Sequence, residues 1–297
     1  MRGVETRRSG RSERPARPRS AGTRAGAKSM KLRRKAATIA RVSAAVVVAL
    51  LFSARAGHAG PPFVTDDPVP VDLGKWEINN FANSTFAGGA LQGNLFAVDA
   101  NYGAAENLQL HLQIPSAMAQ WSGASAQFGL GDIEIGAKYR FLAPGDDEWL
   151  PQVAIFPLLD FPTGDANRDL GTGRAHAFLP IWLQKNIGKW SIFGGGGYWL
   201  NPGPGNVNYW FSGLAAQYQL TDALSLGGEI FYQTKSTDGG PGSPGYPLGS
   251  RNSAGFNLGG TYDFDKTRRL LFSFGRGLLN ASTTNSFSYY LALQVSF

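Results

Sequence analysis

The chain closes on Tyr289-Tyr-Leu-Ala-Leu-Gln-Val-Ser-Phe297. Tyr289, Leu291, Leu293, Val295 and Phe297 fall on one parity. Ser288, Tyr290, Ala292, Gln294 and Ser296 fall on the other. A period of two places successive side chains on opposite faces of a strand, so this segment predicts a strand with one apolar face. The strand runs to the last residue and ends on an aromatic of its apolar face.

Working inward, the same alternation recurs. Leu108, Leu110, Leu112 and Ile114 alternate with Gln109, His111 and Gln113. Ile133, Ile135, Ala137, Tyr139 and Phe141 stand against Asp132, Glu134, Lys138 and Arg140. Leu224, Leu226, Ile230 and Tyr232 stand against Ser225, Glu229, Gln233 and Lys235. Ala254, Phe256, Leu258 and Tyr262 stand against Ser253, Asn257, Thr261 and Asp263. Weaker segments near 75–84, 93–102, 150–160, 174–185, 189–200, 207–219, 268–276 and 286–297 bring the expected total to twelve strands. Pro157, Pro180 and the Gly194–Gly197 run blur the middle ones.

The connections alternate in length. Short ones are expected near 103–106, 186–188, 221–222 and 265–267, with an intermediate turn at 142–149. Long ones are expected at 115–126, 161–173, 201–206, 236–251 and 277–285, rich in Gly, Pro, Ser, Asn and Asp. Trp76, Tyr102, Tyr139, Phe141, Trp149, Trp190, Tyr218, Tyr262 and Phe297 all lie beside the short connections. Tyr and Trp favour the headgroup level of a bilayer, where an apolar ring meets a wet edge.

The net charge of +7 does not indicate a nucleic-acid partner, because of how it is distributed. Residues 1–59 hold fifteen Lys and Arg against two Glu; residues 60–297 hold thirteen against nineteen Asp and Glu. The basic character belongs to a leader. Met30 to Lys35 is a charged start, Val42 to Ala54 a mostly apolar run too short to span a bilayer, and Gly57-His-Ala59 a small-residue cleavage motif. Residues 1–29 are expected to be a disordered basic extension from an upstream start site, 30–59 a signal peptide cleaved after Ala59, 60–73 a periplasmic tail or a plug, and 74–297 the barrel. After residue 59 no apolar run reaches the length of a spanning helix, which leaves a closed barrel as the way across a membrane. There is no cysteine, so thiol and disulfide chemistry are absent.

Together these features predict an all-β, up-and-down antiparallel transmembrane β-barrel of about twelve strands in a Gram-negative outer membrane, with its long loops outside and both termini in the periplasm. The terminal alternation resembles the signal read by the barrel-assembly machinery, with Tyr289, Leu291, Leu293, Val295 and Phe297 as the apolar set. Three motifs carry a closer resemblance: Gly60-Pro-Pro-Phe-Val-Thr-Asp-Asp-Pro-Val-Pro-Val-Asp-Leu-Gly-Lys-Trp-Glu-Ile-Asn79, Gly129-Leu-Gly-Asp-Ile-Glu-Ile-Gly-Ala-Lys-Tyr-Arg140 and Phe161-Pro-Thr-Gly164. With these, residues 60–297 resemble the bacterial outer-membrane family labelled for the meta-pathway of phenol degradation, often called simply "transporter". The resemblance implies a transmembrane β-barrel and assigns no residue roles.

The polar parity supplies the candidate site. Asp99, Gln109, His111, Asp132, Glu134, Lys138, Arg140, Glu229, Lys235 and Asp263 are expected to line the lumen, with acids and bases pairing across neighbouring strands. Twelve strands lie between filled eight-stranded barrels and wide sixteen-stranded porins, so a narrow passage is expected. The functional expectation is passive, selective transport of a small hydrophobic or aromatic organic solute. The alternative is a sealed barrel acting as a structural protein or a lipid-modifying enzyme. Past the leader only His111 and His176 could serve a hydrolase as base, and no motif ties a serine to either, so no catalysis is expected. Asp66, Asp67 and Asp72 match no calcium-loop spacing, and Gly129-Leu-Gly131 precedes a charged strand rather than a helix, so neither a metal nor a cofactor is expected. The expected partners are outer-membrane lipid and lipopolysaccharide, the assembly machinery and the solute.

Overall fold

The computed structural model describes residues 62–144, 149–239 and 248–297. The expected extension, signal peptide and cleavage site lie outside these residues.

Fourteen strand segments form one sheet: β1 (Trp76–Ala87), β2 (Ala90–Ala105), β3 (Leu108–Trp121), β4 (Gln127–Leu130), β5 (Ile133–Leu142), β6 (Gln152–Ile155), β7 (Leu158–Phe161), β8 (His176–Ile187), β9 (Trp190–Leu200), β10 (Tyr209–Gln219), β11 (Leu224–Gln233), β12 (Ser253–Asp263), β13 (Arg268–Leu279) and β14 (Phe287–Ser296). Both β4 and β5 pair with β3, and both β6 and β7 pair with β5 and β8, so each couple is one stave with a break. The fourteen segments therefore make twelve antiparallel staves. β14 pairs along β1 from Glu77↔Ser296 to Phe86↔Phe287, and backbone bonds between Trp76 and Phe297 finish that seam. The sheet closes on itself and leaves no free edge there, as a bilayer requires.

The exterior is the apolar parity. Leu110, Leu112 and Ile114 are 48%, 39% and 44% exposed, whereas Gln109 on the alternate parity is buried. Short turns at one end carry exposed Trp76, Tyr139, Phe141, Trp149, Trp190, Tyr262 and Phe297, with Trp76 on Tyr102 and Trp190 on Tyr218 at 4.7 and 4.9 Å between ring centres. This is the expected girdle. One connection departs from expectation. The loop placed at 115–126 is mostly strand, because β3 continues to Trp121 and pairs with β2 as far as Ala90. Pro115 and the small residues after it hide the alternation there.

The breaks have physical causes. β4 ends at Leu130 and β5 begins at Ile133. Thr163 patches this gap: its hydroxyl donates to the Gly131 carbonyl at 2.8 Å and accepts from the Ile133 N–H at 3.0 Å. Asp132 turns to the loop 162–175 and accepts from the N–H groups of Gly164 and Thr172 and from the Thr172 hydroxyl, at 2.7 to 2.9 Å. Two of the motifs singled out in the sequence, around Gly129–Arg140 and Phe161–Gly164, thus complete each other. Arg168 of the same loop donates to the Phe128 carbonyl and to Gln127, covering β4. The second break falls at Phe156-Pro157, where proline lacks the donor a continuous strand needs.

Candidate functional site

Residues 62–73 lie inside the barrel. Three of the twelve are proline, so they bring no backbone N–H into the lumen. Most of the donors that remain are met by named acceptors. Glu229 of β11 accepts from the N–H groups of Val64 and Thr65, both at 2.8 Å, and from the Thr65 hydroxyl at 2.5 Å. Gln109 of β3 accepts from Val71 N–H at 2.9 Å. Asp66 accepts from Asp67 N–H, and Asp67 from Val69 N–H. Lys138 of β5 donates to Asp66 at 3.1 Å, and Ser273 of β13 donates to the Pro62 carbonyl at 2.6 Å. Phe63 packs with Phe193 and Ala215. Two glycines make room by close approach: a Cβ at Gly213 would stand 2.0 Å from the Thr65 hydroxyl oxygen, and one at Gly103 2.0 Å from the Asp72 carbonyl oxygen.

A cavity of about 420 Å³ lies against this segment. Its two sides differ in chemistry. On the side of β1, β2, β3 and β5 a polar chain links neighbouring staves. Gln294 donates to Asn79 at 3.0 Å, and Asn79 to Asp99 at 3.1 Å. His111 holds Asp99 at 3.1 Å through Nδ1 and Glu134 at 2.9 Å through Nε2. With an acceptor at each ring nitrogen, the geometry suits an imidazolium that donates both ways. On the side of β8, β9 and β10 the cavity is aromatic. Phe178 stacks on Trp199 at 4.7 Å with the rings 8° apart, and meets Trp182 and Phe211 edge-on at 6.3 Å. Phe156, at the β6–β7 break, meets His111 edge-on at 5.4 Å and takes Lys138 over its ring at 4.9 Å.

The expected lumen residues are thereby sorted. Asp99, Gln109, His111, Glu134 and Lys138 line the cavity. Glu229 is buried and spent on the N-terminal segment and on Asn257, which donates to it at 2.6 Å. Asp132 serves the loop. Arg140 is held by Asn107 and Gln152 beside a short turn. Asp263 pairs with Arg269 at the turn joining β12 and β13. Lys235 does not face the lumen: it lies beyond β11 in an exposed loop, ion-paired with Asp238. The expected acid–base pairing across the ladder is not made by Lys138 or Arg140. The register is the reason. Lys138 stands opposite Gln109, Arg140 opposite Ala154, and Glu134 opposite Gln113 and Asp160. Lys138 finds its carboxylate on the N-terminal segment instead.

The aromatic side escaped the alternation rule. In β8, Leu179, Ile181 and Leu183 face outward while Phe178, Pro180 and Trp182 face the lumen, so both parities read as apolar. That continuous apolar run was the available signal. Within the Gly194–Gly197 run of β9, Gly195 stands opposite Trp182, and a Cβ there would lie 2.1 Å from the Ile181 carbonyl oxygen and 3.1 Å from the indole.

Asp67 is a carboxyl of the internal segment that burial shifts. Burial pushes its carboxyl up to about 7; Lys138 and the Val69 N–H oppose that shift, and Asp66 and Glu77 add to it. Released into water it would titrate near 3.9. The docked segment therefore holds a proton that the released one lacks between those values. Asp67's contribution to docking is fully present below about pH 4, weakens as pH rises, and is lost above about 7. Single-channel conductance is expected to rise between pH 5 and pH 7.5, and Asp67→Asn to flatten that rise. An unchanged slope in the variant would remove Asp67 from this role.

No curated protein matches this chain. Among solved structures, an outer membrane channel from Pseudomonas putida F1 superposes with a TM-score of 0.58 at 19% identity, covering 77% of this chain and 97% of that one. The NanC porin follows at 0.51 and 10%, covering 74% and 98%, and the KdgM porin at 0.50 and 12%, covering 74% and 99%. These likenesses establish the fold of outer-membrane barrels. Residues 76–295 match the family described as "Putative MetA-pathway of phenol degradation", and the chain belongs to that family.

Proposed function

We propose that this barrel is an outer-membrane channel that passes a small hydrophobic or aromatic organic solute passively, with residues 62–73 acting as the plug that narrows it. The observation that carries the reading is the aromatic side of the lumen. Phe178, Trp182 and Phe211 form a buried cluster with Phe156 inside the barrel, Trp199 packs against it, and all five line the cavity. Ligand sites of about 300–1,000 Å³ lined by aromatics with a few placed polar groups take drug-sized or smaller molecules. A cavity of about 420 Å³ suits a solute of one or two rings. The polar side would keep a path hydrated for the solute's polar edge.

Liposome flux with a panel of aromatics, sugars and amino acids tests this. One- and two-ring aromatics are expected to enter fastest, and Trp182→Ala to change their rate more than that of sugars. Equal rates for sugars and aromatics, or none for either, would sink the reading. For the alternative of a lipid hydrolase, His111 is the base to consider. Its ring nitrogens face Asp99, Asn101 and Glu134, with no serine hydroxyl among these contacts.

A further inference from the structure

The cavity contains five carboxyl groups, from Asp66, Asp67, Glu77, Asp99 and Glu134, and two bases, His111 and Lys138. The bases are already engaged. Lys138 holds Asp66, and His111 bridges Asp99 and Glu134. Among the described residues Asp67 and Glu77 form no ion pair. Asp67 is 1% exposed; its Oδ1 accepts from Val69, and its Oδ2 has no hydrogen-bond partner. A buried carboxylate oxygen with no donor is a costly arrangement unless something supplies one. The same cavity presents the faces and edges of Phe178, Trp199 and Phe211, and aromatic rings attract cations. Lys138 over Phe156 already shows that contact within the site.

We propose that the solute of this channel is an organic cation, a small amine whose hydrocarbon part lies on the aromatic side and whose ammonium donates to Asp67 and Glu77. The proposal rests on the channel reading above and narrows its substrate class. An organic acid of the same shape is disfavoured, because its carboxylate would meet two unpaired acids and find both bases occupied. A neutral aromatic fits the rings but leaves Asp67 Oδ2 without a donor. Because Asp67 belongs to the plug, an amine bound there also touches the element that narrows the lumen.

Three probes matched in ring and length separate the classes: benzylamine, benzyl alcohol and benzoate. Their binding to the purified full barrel at pH 8, where Asp67 is ionised, is read from quenching of tryptophan fluorescence, since Trp182 and Trp199 line the cavity. Benzylamine is expected to bind about tenfold more tightly than benzyl alcohol, the gain of one charge-assisted hydrogen bond, and benzoate more weakly than either. Asp67→Asn is expected to cut the amine-to-alcohol ratio to about threefold or less, and Glu77→Gln to reduce it independently should the first variant not assemble. A ratio that survives both substitutions overturns the proposal, as does benzoate binding as well as benzylamine. Benzyl alcohol that binds and permeates with no advantage for the amine also overturns it, while the aromatic channel stands. Failure of all three probes to bind or permeate removes both.

Discussion

Replacing Glu229 by Ala is expected to raise single-channel conductance in planar bilayers about tenfold and to weaken docking of residues 62–73 by about 3–6 kcal/mol, taking hydrogen bonds to a charged acceptor at about 1.5–3 kcal/mol each and allowing for non-additivity. The side chain accepts from Val64 and Thr65 and is held by Asn257, at distances of 2.5 to 2.8 Å. Removing it strands two backbone N–H groups and a hydroxyl in the lumen. Released segment finds water, so the free-energy minimum moves toward the open form. Glu229→Gln should have a smaller effect, because an amide still offers one acceptor oxygen. Deletion of 60–73 sets the upper limit of conductance, and Glu229→Ala should approach it. If the deletion conducts freely while Glu229→Ala conducts as the wild type does, then Lys138 on Asp66, Gln109 on Val71 and Ser273 on Pro62 hold the segment without Glu229.

Leu112→Arg is expected to destabilise the assembled barrel by about 2–4 kcal/mol, the cost of a charge on the lipid face near the bilayer midplane. Leu112 lies within β3, with Leu110 and Ile114 exposed on the same face. Gln113→Leu, one residue on, changes the lumen face and should cost far less. Unfolding in urea from lipid vesicles measures both. Similar losses for the two would contradict the orientation of the sheet, because a one-residue step moves a side chain between lipid and lumen.

The barrel was legible because a membrane imposes the same demand on every stave. One parity must satisfy acyl chains, and that parity is visible as Leu108–Ile114, as Ile133–Phe141 and in the terminal Tyr289–Phe297. Loop asymmetry and the aromatic girdle are equally local signals. The blurred region around Pro157, Pro180 and Gly194–Gly197 was where the rule fails. There both faces are apolar, because the lumen itself carries Phe156, Phe178 and Trp182. Alternation reports a contrast between faces, and it falls silent when the contrast is small.

The one-dimensional pattern alone determined how many staves there are, where the girdle runs and, wherever the two faces contrast, which residues share a face, since each depends on neighbours one to ten residues away. Tertiary structure decided which polar groups meet. Glu229 and Thr65 are 164 residues apart, Gln294 and Asn79 are 215 apart, and Lys138 reaches a carboxylate on the N-terminal segment rather than the amide opposite it. Barrel closure sets the register around the ring, and the lumen that the extended segment occupies exists only in the closed ring. No local preference encodes either condition, so the partners of the lumen's charges had to be seen in three dimensions.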